Sequence, residues 1–259
     1  MTLRAILLDV DGTVADTERY GHRPAYNRAF RKLGLKVQWS PKLYRKLLEQ
    51  PGGKERVLHY IEHYKPELGA HAAEAAKDPK GFASRVHALK SYYFRRYLRK
   101  GQVPLRPGIA RLIREADAAG LRVALVSNAS RASLTPVLEY GLGKELAERI
   151  DLVVSGEDVA RKKPHPDTYL LALKKLGIAA NECVALEDSA MGLKAAVAAG
   201  VPTIVTTNAN TEGEDFSSAM MVVTSLGESG DTLRAGVEPV PEPSLTLSRI
   251  QGFATQAPA

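Results

Sequence analysis

The chain has 259 residues, of which 44% are apolar and 25% charged, and a formal charge of +7. These values are ordinary for a soluble globular protein, and the length fits one or two domains. No apolar run approaches the roughly 18 residues that cross a bilayer, and Cys183, the only cysteine, excludes an intramolecular disulfide and reads as a small core residue.

The run Ala5-Ile6-Leu7-Leu8 ends at Asp9 and is too short for the apolar region of a secretory signal. It reads as a buried first strand over residues 4–8, and the expected location is the cytoplasm, or the mature plastid stroma in a eukaryote. Directly after it comes Asp9-Val10-Asp11-Gly12-Thr13. Two carboxylates at this spacing can divide the work of phosphoryl transfer. One attacks phosphorus as a nucleophile, and the other protonates the leaving alkoxide and then deprotonates water. Gly12 allows a sharp turn close to a ligand. An acidic loop at a strand end is the ordinary alternative.

Residues 21–100 carry helical spacing, as in Tyr26, Ala29, Phe30 and Leu33, then Tyr44, Leu47 and Leu48, then Val57, Leu58 and Ile61. The segment reads as an all-helical insert. Gly52-Gly53-Lys54-Glu55-Arg56 looks like a loop entering a helix. Its N–H groups and two cations suit an anionic group on a ligand, and a glycine turn before an exposed helix start explains it equally well. Glu18 and His22 lie just past the first motif, where sugar hydroxyls are a reasonable partner. The basic balance is densest at Arg95, Arg96, Arg99 and Lys100, interleaved with Tyr92, Tyr93, Phe94 and Tyr97. With no nucleic-acid motif beside it, this cluster reads as a helix with a buried aromatic stripe and a solvated charged face.

From Pro107 onward helices and strands alternate: helix 109–119, strand 122–126, helix 131–140, strand 152–154, helix 166–176, strand 183–186, helix 189–199 and strand 202–205. Such alternation predicts a parallel sheet with helices on both faces, and ligands outside the carboxyl ends of its strands. The polar groups fall there. Ser127 and Asn128 close one strand, where a hydroxyl and N–H groups suit a phosphate oxygen or serve as a simple helix cap. Lys162-Lys163-Pro164-His165-Pro166-Asp167 precedes the next helix, and one of its lysines is placed to neutralise a phosphoryl group. Glu187 and Asp188 close another strand with hard oxygen ligands suited to Mg²⁺. The tail from residue 230, with Pro239, Pro241 and Pro243, is expected to be largely disordered.

In this order the four segments resemble the motifs of the haloacid dehalogenase-like superfamily, over roughly residues 4–227. The resemblance implies a Rossmann-like α/β core over 1–17 and 101–229, a helical cap of the first type over 18–100, and the tail over 230–259. It implies that Asp9 is the nucleophile, Asp11 the acid/base, Ser127 a phosphate ligand and Lys163 the third-motif lysine, with Lys162 as its rival. Mg²⁺ is then held by Asp9, Asp188 and the Asp11 carbonyl, with Glu187 beside them. Within the superfamily the cap motifs are similar to those of the CbbY group, which removes the 1-phosphate of xylulose-1,5-bisphosphate, an inhibitory by-product of Rubisco. That similarity implies that Glu18, His22, Tyr44, Gly53, Lys54 and Arg56 contact the sugar bisphosphate. Gly21 lengthens the Glu18–His22 segment relative to some members. A β-phosphoglucomutase-like mutase, a generic sugar-phosphate phosphatase and a phosphate-binding regulatory protein share the same motifs. A dehalogenase does not need Asp11. The expected partners are small sugar phosphates, with no nucleic acid or membrane, and the expected state is a monomer.

Overall fold

The computed structural model describes residues 2–227 and 245–256. The chain divides into two compact units, one of Met1–Asp16 with Leu105–Ala259 and the other of Thr17–Pro104. Strand β1 (Ala5–Leu8) opens the first unit and is buried along its whole length.

The second unit is entirely helical among its described elements. It contains α1 (Arg23–Lys32), α2 (Pro41–Leu48), α3 (Gly53–Tyr64), α4 (Ala72–Lys77) and α5 (Pro79–Arg99). Ser40 caps α2 through its hydroxyl and Asp78 caps α5 through its carboxylate, each satisfying an orphan N–H of the first turn. Both helices begin with proline, whose fixed φ suits that position. The core gathers around Trp39, whose ring lies 4.5 Å from Tyr26, 5.0 Å from Phe30 and 5.8 Å from Tyr44. The Asn27 amide exchanges two hydrogen bonds with the Trp39 main chain and so fixes the α1–α2 connection. On α5 the expected aromatic stripe is narrower than the sequence suggests. Phe94 and Leu98 are buried, Tyr92 is exposed, and Arg95, Arg96, Arg99 and Lys100 face solvent.

The first unit then continues through α6 (Ile109–Ala118), β2 (Arg122–Val126), α7 (Arg131–Pro136), α8 (Gly143–Ala147), β3 (Leu152–Val154), α9 (Asp167–Leu176), β4 (Cys183–Glu187), α10 (Ala190–Ala198), β5 (Thr203–Thr206) and β6 (Met221–Val223). The strands pair in the order β3-β2-β1-β4-β5-β6, all parallel. The order reverses direction at β1 and β4, where an open parallel sheet leaves a crevice at its carboxyl edge. Central strands must be apolar on both faces because helices cover both, and β1, β4 and β5 are buried throughout. Ala5, Leu7, Ala124, Val126, Cys183 and Ala185 pack with Tyr169, Ala172 and Leu173 of α9 and with Ala195 and Ala196 of α10. Cys183 is thus the core residue expected of it.

Three differences from the sequence reading have physical causes. The single helix expected over 131–140 is a short α-helix that passes into a π-helical segment, Val137–Leu142, after Pro136, which brings no N–H to the ladder. Strand β6 is three residues long and follows a loop instead of a helix, so alternation does not reveal it. The disorder expected from residue 230 lies in part outside the described residues. Where the description resumes, the expectation is corrected: α11 (Leu247–Gln256) forms, with Leu245, Leu247 and Ile250 buried.

Candidate active site

Each strand of the sheet centre ends in a functional group. Asp9 follows β1 and its main-chain N–H donates to the Leu186 carbonyl of β4 at 2.9 Å, which brings the ends of these two strands into register. The turn after Asp9 requires glycine. Gly12 has φ of +101°, and a Cβ there would overlap the Asp188 carboxylate and lie 3.0 Å from Asn208 Nδ2.

Lys163 sits at the centre of the site. Its ammonium is buried and donates to Asp9 Oδ1 at 2.7 Å, Glu187 Oε1 at 2.6 Å and the Val126 carbonyl at 2.7 Å. All three donors are therefore used. Of the two lysines, Lys163 is the one that touches Asp9, while Lys162 is exposed. The main chain of Lys163 is held by Asn128, whose Nδ2 donates to its carbonyl at 3.0 Å and whose Oδ1 accepts from its N–H at 2.8 Å. Both ends of the Asn128 amide thus help to place the lysine. The Lys163–Pro164 peptide is cis.

Ser127 is buried at the end of β2, and its Oγ accepts from the Ala129 N–H at 3.0 Å. A hydroxyl that accepts in this way keeps its hydrogen to donate to an anion. Asp11 is half-buried, and its charge helps to raise Asp9.

Asp9, Glu187 and Asp188 are all buried and offer oxygens within 4.8 Å of one another. The Asp11 side chain is not part of this cluster, which leaves its main-chain carbonyl as the expected ligand. Three carboxylates face one ammonium, an excess of buried negative charge. Burial pushes the Asp9 carboxyl up to about 7, against the pull of Lys163 and with an added push from Glu187. Burial and the charges of Asp9 and Glu187 also hold Asp188 well above the usual carboxylate range. Burial would lower Lys163, but Asp9 and Glu187 outweigh it and hold its ammonium above the ordinary lysine value. Buried hard oxygens with surplus negative charge fit a divalent cation such as Mg²⁺.

Two groups of the site escape sequence reasoning. Tyr169 on α9 donates to Glu187 Oε1 at 2.6 Å, which orients that carboxylate together with Lys163. Asn208, after β5, donates from Nδ2 to Asp188 Oδ2 at 2.6 Å. Its turn is anchored by Arg106, whose Nη2 donates to the Thr207 and Thr224 carbonyls, both at 2.7 Å. Tyr169 lies six residues after Lys163 and reads as core. Asn208 carries no motif, and its only signal is a polar residue just past a strand. Partners that orient metal-binding carboxylates typically contribute 10–100-fold to metal affinity. Asn208→Ala is therefore expected to raise the Mg²⁺ needed for half-maximal activity by about tenfold, read from a Mg²⁺ titration of turnover. An unchanged requirement would show that Asp188 holds its position unaided.

Within the helical unit, Tyr44 is buried and donates to Glu18 Oε2 at 2.6 Å. Arg56 Nε donates to the Leu47 carbonyl at 3.0 Å, and its guanidinium lies 5.5 Å from the Tyr44 ring centre. Glu18, Tyr44 and Arg56 thus form one polar group, while Lys54 is exposed. The Glu18–His22 segment is π-helical. A π turn absorbs one extra residue in a helix, and Gly21 is suited to it because a Cβ there would come within 2.6 Å of the Phe94 ring. His22 is buried, with its ring 4.1 Å from that of Phe94.

The haloacid dehalogenase-like hydrolase model matches residues 3–200. Protein CbbY from Cupriavidus necator is 41% identical over 231 residues, covering 89% of each chain. CbbY from Rhodobacter sphaeroides has been solved in complex with phosphate and, as a mutant, with xylulose-(1,5)bisphosphate. Those structures are 37% identical to this chain, cover 88% of it and 97% of their own, and superpose with a TM-score of 0.75. A β-phosphoglucomutase from Clostridium difficile, at 19% identity and a TM-score of 0.69, shares the fold. The chain belongs to the haloacid dehalogenase-like hydrolase family, as a phosphatase related to the CbbY proteins.

Proposed function

We propose that the protein is a Mg²⁺-dependent phosphatase that removes the 1-phosphate of xylulose-1,5-bisphosphate through an aspartyl-phosphate on Asp9. The observation that carries this reading is the buried Asp9–Lys163–Glu187 arrangement beside Asp188, in a chain 37% identical to a CbbY solved with that sugar.

Asp9 attacks phosphorus and the bond to the sugar oxygen breaks. Asp11 gives its proton to the departing alkoxide, then takes one from the water that opens the acyl phosphate. Lys163 fixes the Asp9 carboxylate by Oδ1, and the Ser127 hydrogen is directed to a phosphoryl oxygen. A bound Mg²⁺ would supply positive charge to the phosphoryl oxygens, with Asp9, Asp188 and the Asp11 carbonyl holding it and Glu187 alongside.

The phosphate that stays on the sugar needs its own cations, because Lys163 is fully engaged with Asp9, Glu187 and Val126. Lys54 and Arg56 are assigned to it, with Glu18, His22, Tyr44 and Gly53 on the sugar. A charged hydrogen bond contributes roughly 1.5–3 kcal/mol, so two such contacts raise kcat/KM for the bisphosphate by about 10²-fold or more over xylulose 1-phosphate, which carries only the phosphate to be cleaved. Phosphate release measured on both sugars tests this. Lys54→Ala is expected to remove most of the ratio. A wild-type enzyme that treats the two sugars alike would make a generic sugar-phosphate phosphatase the better reading.

A further inference from the structure

We infer that Tyr169 and Asn208 are positioning residues that set which divalent cation the site accepts. By occupying one oxygen of Glu187 and one of Asp188, they keep both carboxylates monodentate, which favours Mg²⁺ over Ca²⁺. The inference rests on the metal reading above and concerns the choice of ion.

Each carboxylate of the cluster has one oxygen engaged by a protein donor. Asp9 Oδ1 accepts from Lys163 at 2.7 Å. Glu187 Oε1 accepts from Lys163 and from Tyr169, each at 2.6 Å. Two donors fill both lone pairs of that oxygen. Asp188 Oδ2 accepts from Asn208 Nδ2 at 2.6 Å and lies where a Cβ on Gly12 would overlap it. The amide on one side and the close main chain on the other leave that oxygen no room for an ion. Glu187 is closed in from its far side as well. Its Oε2 accepts from the Asp188 N–H at 3.3 Å, and α10 packs so tightly there that a Cβ on Gly192 would overlap the carboxylate. Glu187 therefore cannot turn to present both oxygens to one ion.

The two tethers are themselves held. Tyr169 is buried in the core with Ala172 and Leu173, and the Lys163 ammonium lies 5.0 Å from its ring centre. Ring and hydroxyl thus support the same lysine–glutamate pair. The Asn208 amide is fixed at both ends. Its Oδ1 accepts from the Asn210 N–H at 2.8 Å, which turns Nδ2 to Asp188. Its main-chain N–H donates to Thr211 Oγ1 at 3.1 Å.

Magnesium and calcium ask different things of such a cluster. Ca²⁺ takes roughly six to eight oxygens in a flexible shell and accepts carboxylates through both oxygens, whereas Mg²⁺ demands a near-octahedral shell and keeps several waters. A cluster that offers one oxygen per carboxylate, and holds it still, meets the second demand and not the first. Without the Tyr169 hydroxyl, Glu187 Oε1 keeps one donor and can move toward an ion. Without the Asn208 amide, Asp188 Oδ2 gains both space and a free lone pair.

The test is calorimetric titration of the chelated full chain with Mg²⁺ and with Ca²⁺ at about pH 8, where the carboxylates are ionised. The wild type is compared with Tyr169→Phe and Asn208→Ala. In each variant the ratio of the Ca²⁺ Kd to the Mg²⁺ Kd is expected to fall about tenfold, the lower end of what partners of metal ligands contribute. Mg²⁺ should bind more weakly and Ca²⁺ as tightly as before or more so. Infrared spectra of the Ca²⁺ form should gain the bands of a bidentate carboxylate in the variants. A loosened fold would instead weaken both ions by one factor and leave the ratio alone. If the wild type binds Mg²⁺ and the ratio is unchanged in both variants, the inference is overturned and the metal reading stands. If the wild type binds neither ion, both fall. Tyr169→Phe keeps the ring in the core and Asn208 is only half-buried, so if one variant fails to fold the other decides.

Discussion

Asp9→Asn is expected to lower turnover by about 10⁴-fold or more while leaving the protein folded. Loss of a catalytic nucleophile acts on this scale, and 10⁴ corresponds to about 5.4 kcal/mol of barrier. The fold should survive because Asn keeps the shape of the side chain. Its amide oxygen can still accept from the Lys163 ammonium, which reaches Asp9 Oδ1 at 2.7 Å. The change also removes one of three buried carboxylates, and thus part of the repulsion that raises Asp9 and Asp188. The loss of one charge beside Lys163 and the relief of that repulsion oppose each other. The melting temperature should therefore move little, and circular dichroism with thermal denaturation checks this. The covalent step has a separate signature. Beryllofluoride with Mg²⁺ should occupy Asp9 in the wild type as an acyl-phosphate mimic and fail to do so in the variant. Turnover near that of the wild type in Asp9→Asn would remove Asp9 as the nucleophile.

Much of this site is legible in the sequence because a parallel sheet turns strand ends into a list of ligands. β1, β2 and β4 carry short apolar runs, and each stops at a polar residue: Asp9, Ser127 or Glu187, the last followed by Asp188. Where an apolar run stops is visible without coordinates, so the core groups can be named in order. Groups that enter from outside those strand ends are not visible in this way. Tyr169 lies on the buried face of α9, where an aromatic is ordinary core, and its hydroxyl meets Glu187 only once the chain is folded. Asn208 is 20 residues from its partner Asp188 and belongs to a turn held by Arg106.

Helical spacing also hides the difference between α and π turns, which is a matter of hydrogen bonding and not of which face is apolar. Gly21 signals the extra residue in the Glu18–His22 segment, but not how the helix absorbs it. In the cap, the Gly-Gly-Lys-Glu-Arg segment stands out as a motif.

Chelation of divalent metal is expected to abolish turnover, and Mg²⁺ to restore it, with a pH signature that identifies the ligands. In the metal-free fold the Asp9 carboxyl is raised from 3.8 to about 7. Between those values the folded state holds a proton that the unfolded state has lost, so stability falls as the pH rises through the window. Asp188 is raised as well and acts in the same direction. A divalent cation binds the ionised carboxylates and competes with these protons. Its stabilisation is therefore small at the acid end of the window and large above it, where the carboxylates repel one another. The rise in melting temperature on adding Mg²⁺ should be clearly greater at about pH 8 than at about pH 5, since ligand binding stabilises by RT ln(1 + [L]/Kd) and Kd falls as the carboxylates ionise. Asp158, held below its ordinary value first by the Ser155 N–H and then by Arg131, and Asp167, held down by Arg161, act in the opposite direction. Glu214, raised by burial, lies outside the carboxylate cluster and does not respond to Mg²⁺. Full activity after exhaustive chelation would refute the metal assignment. Activity that needs Mg²⁺, with a melting shift equal at both pH values, would instead place the ion away from Asp9 and Asp188.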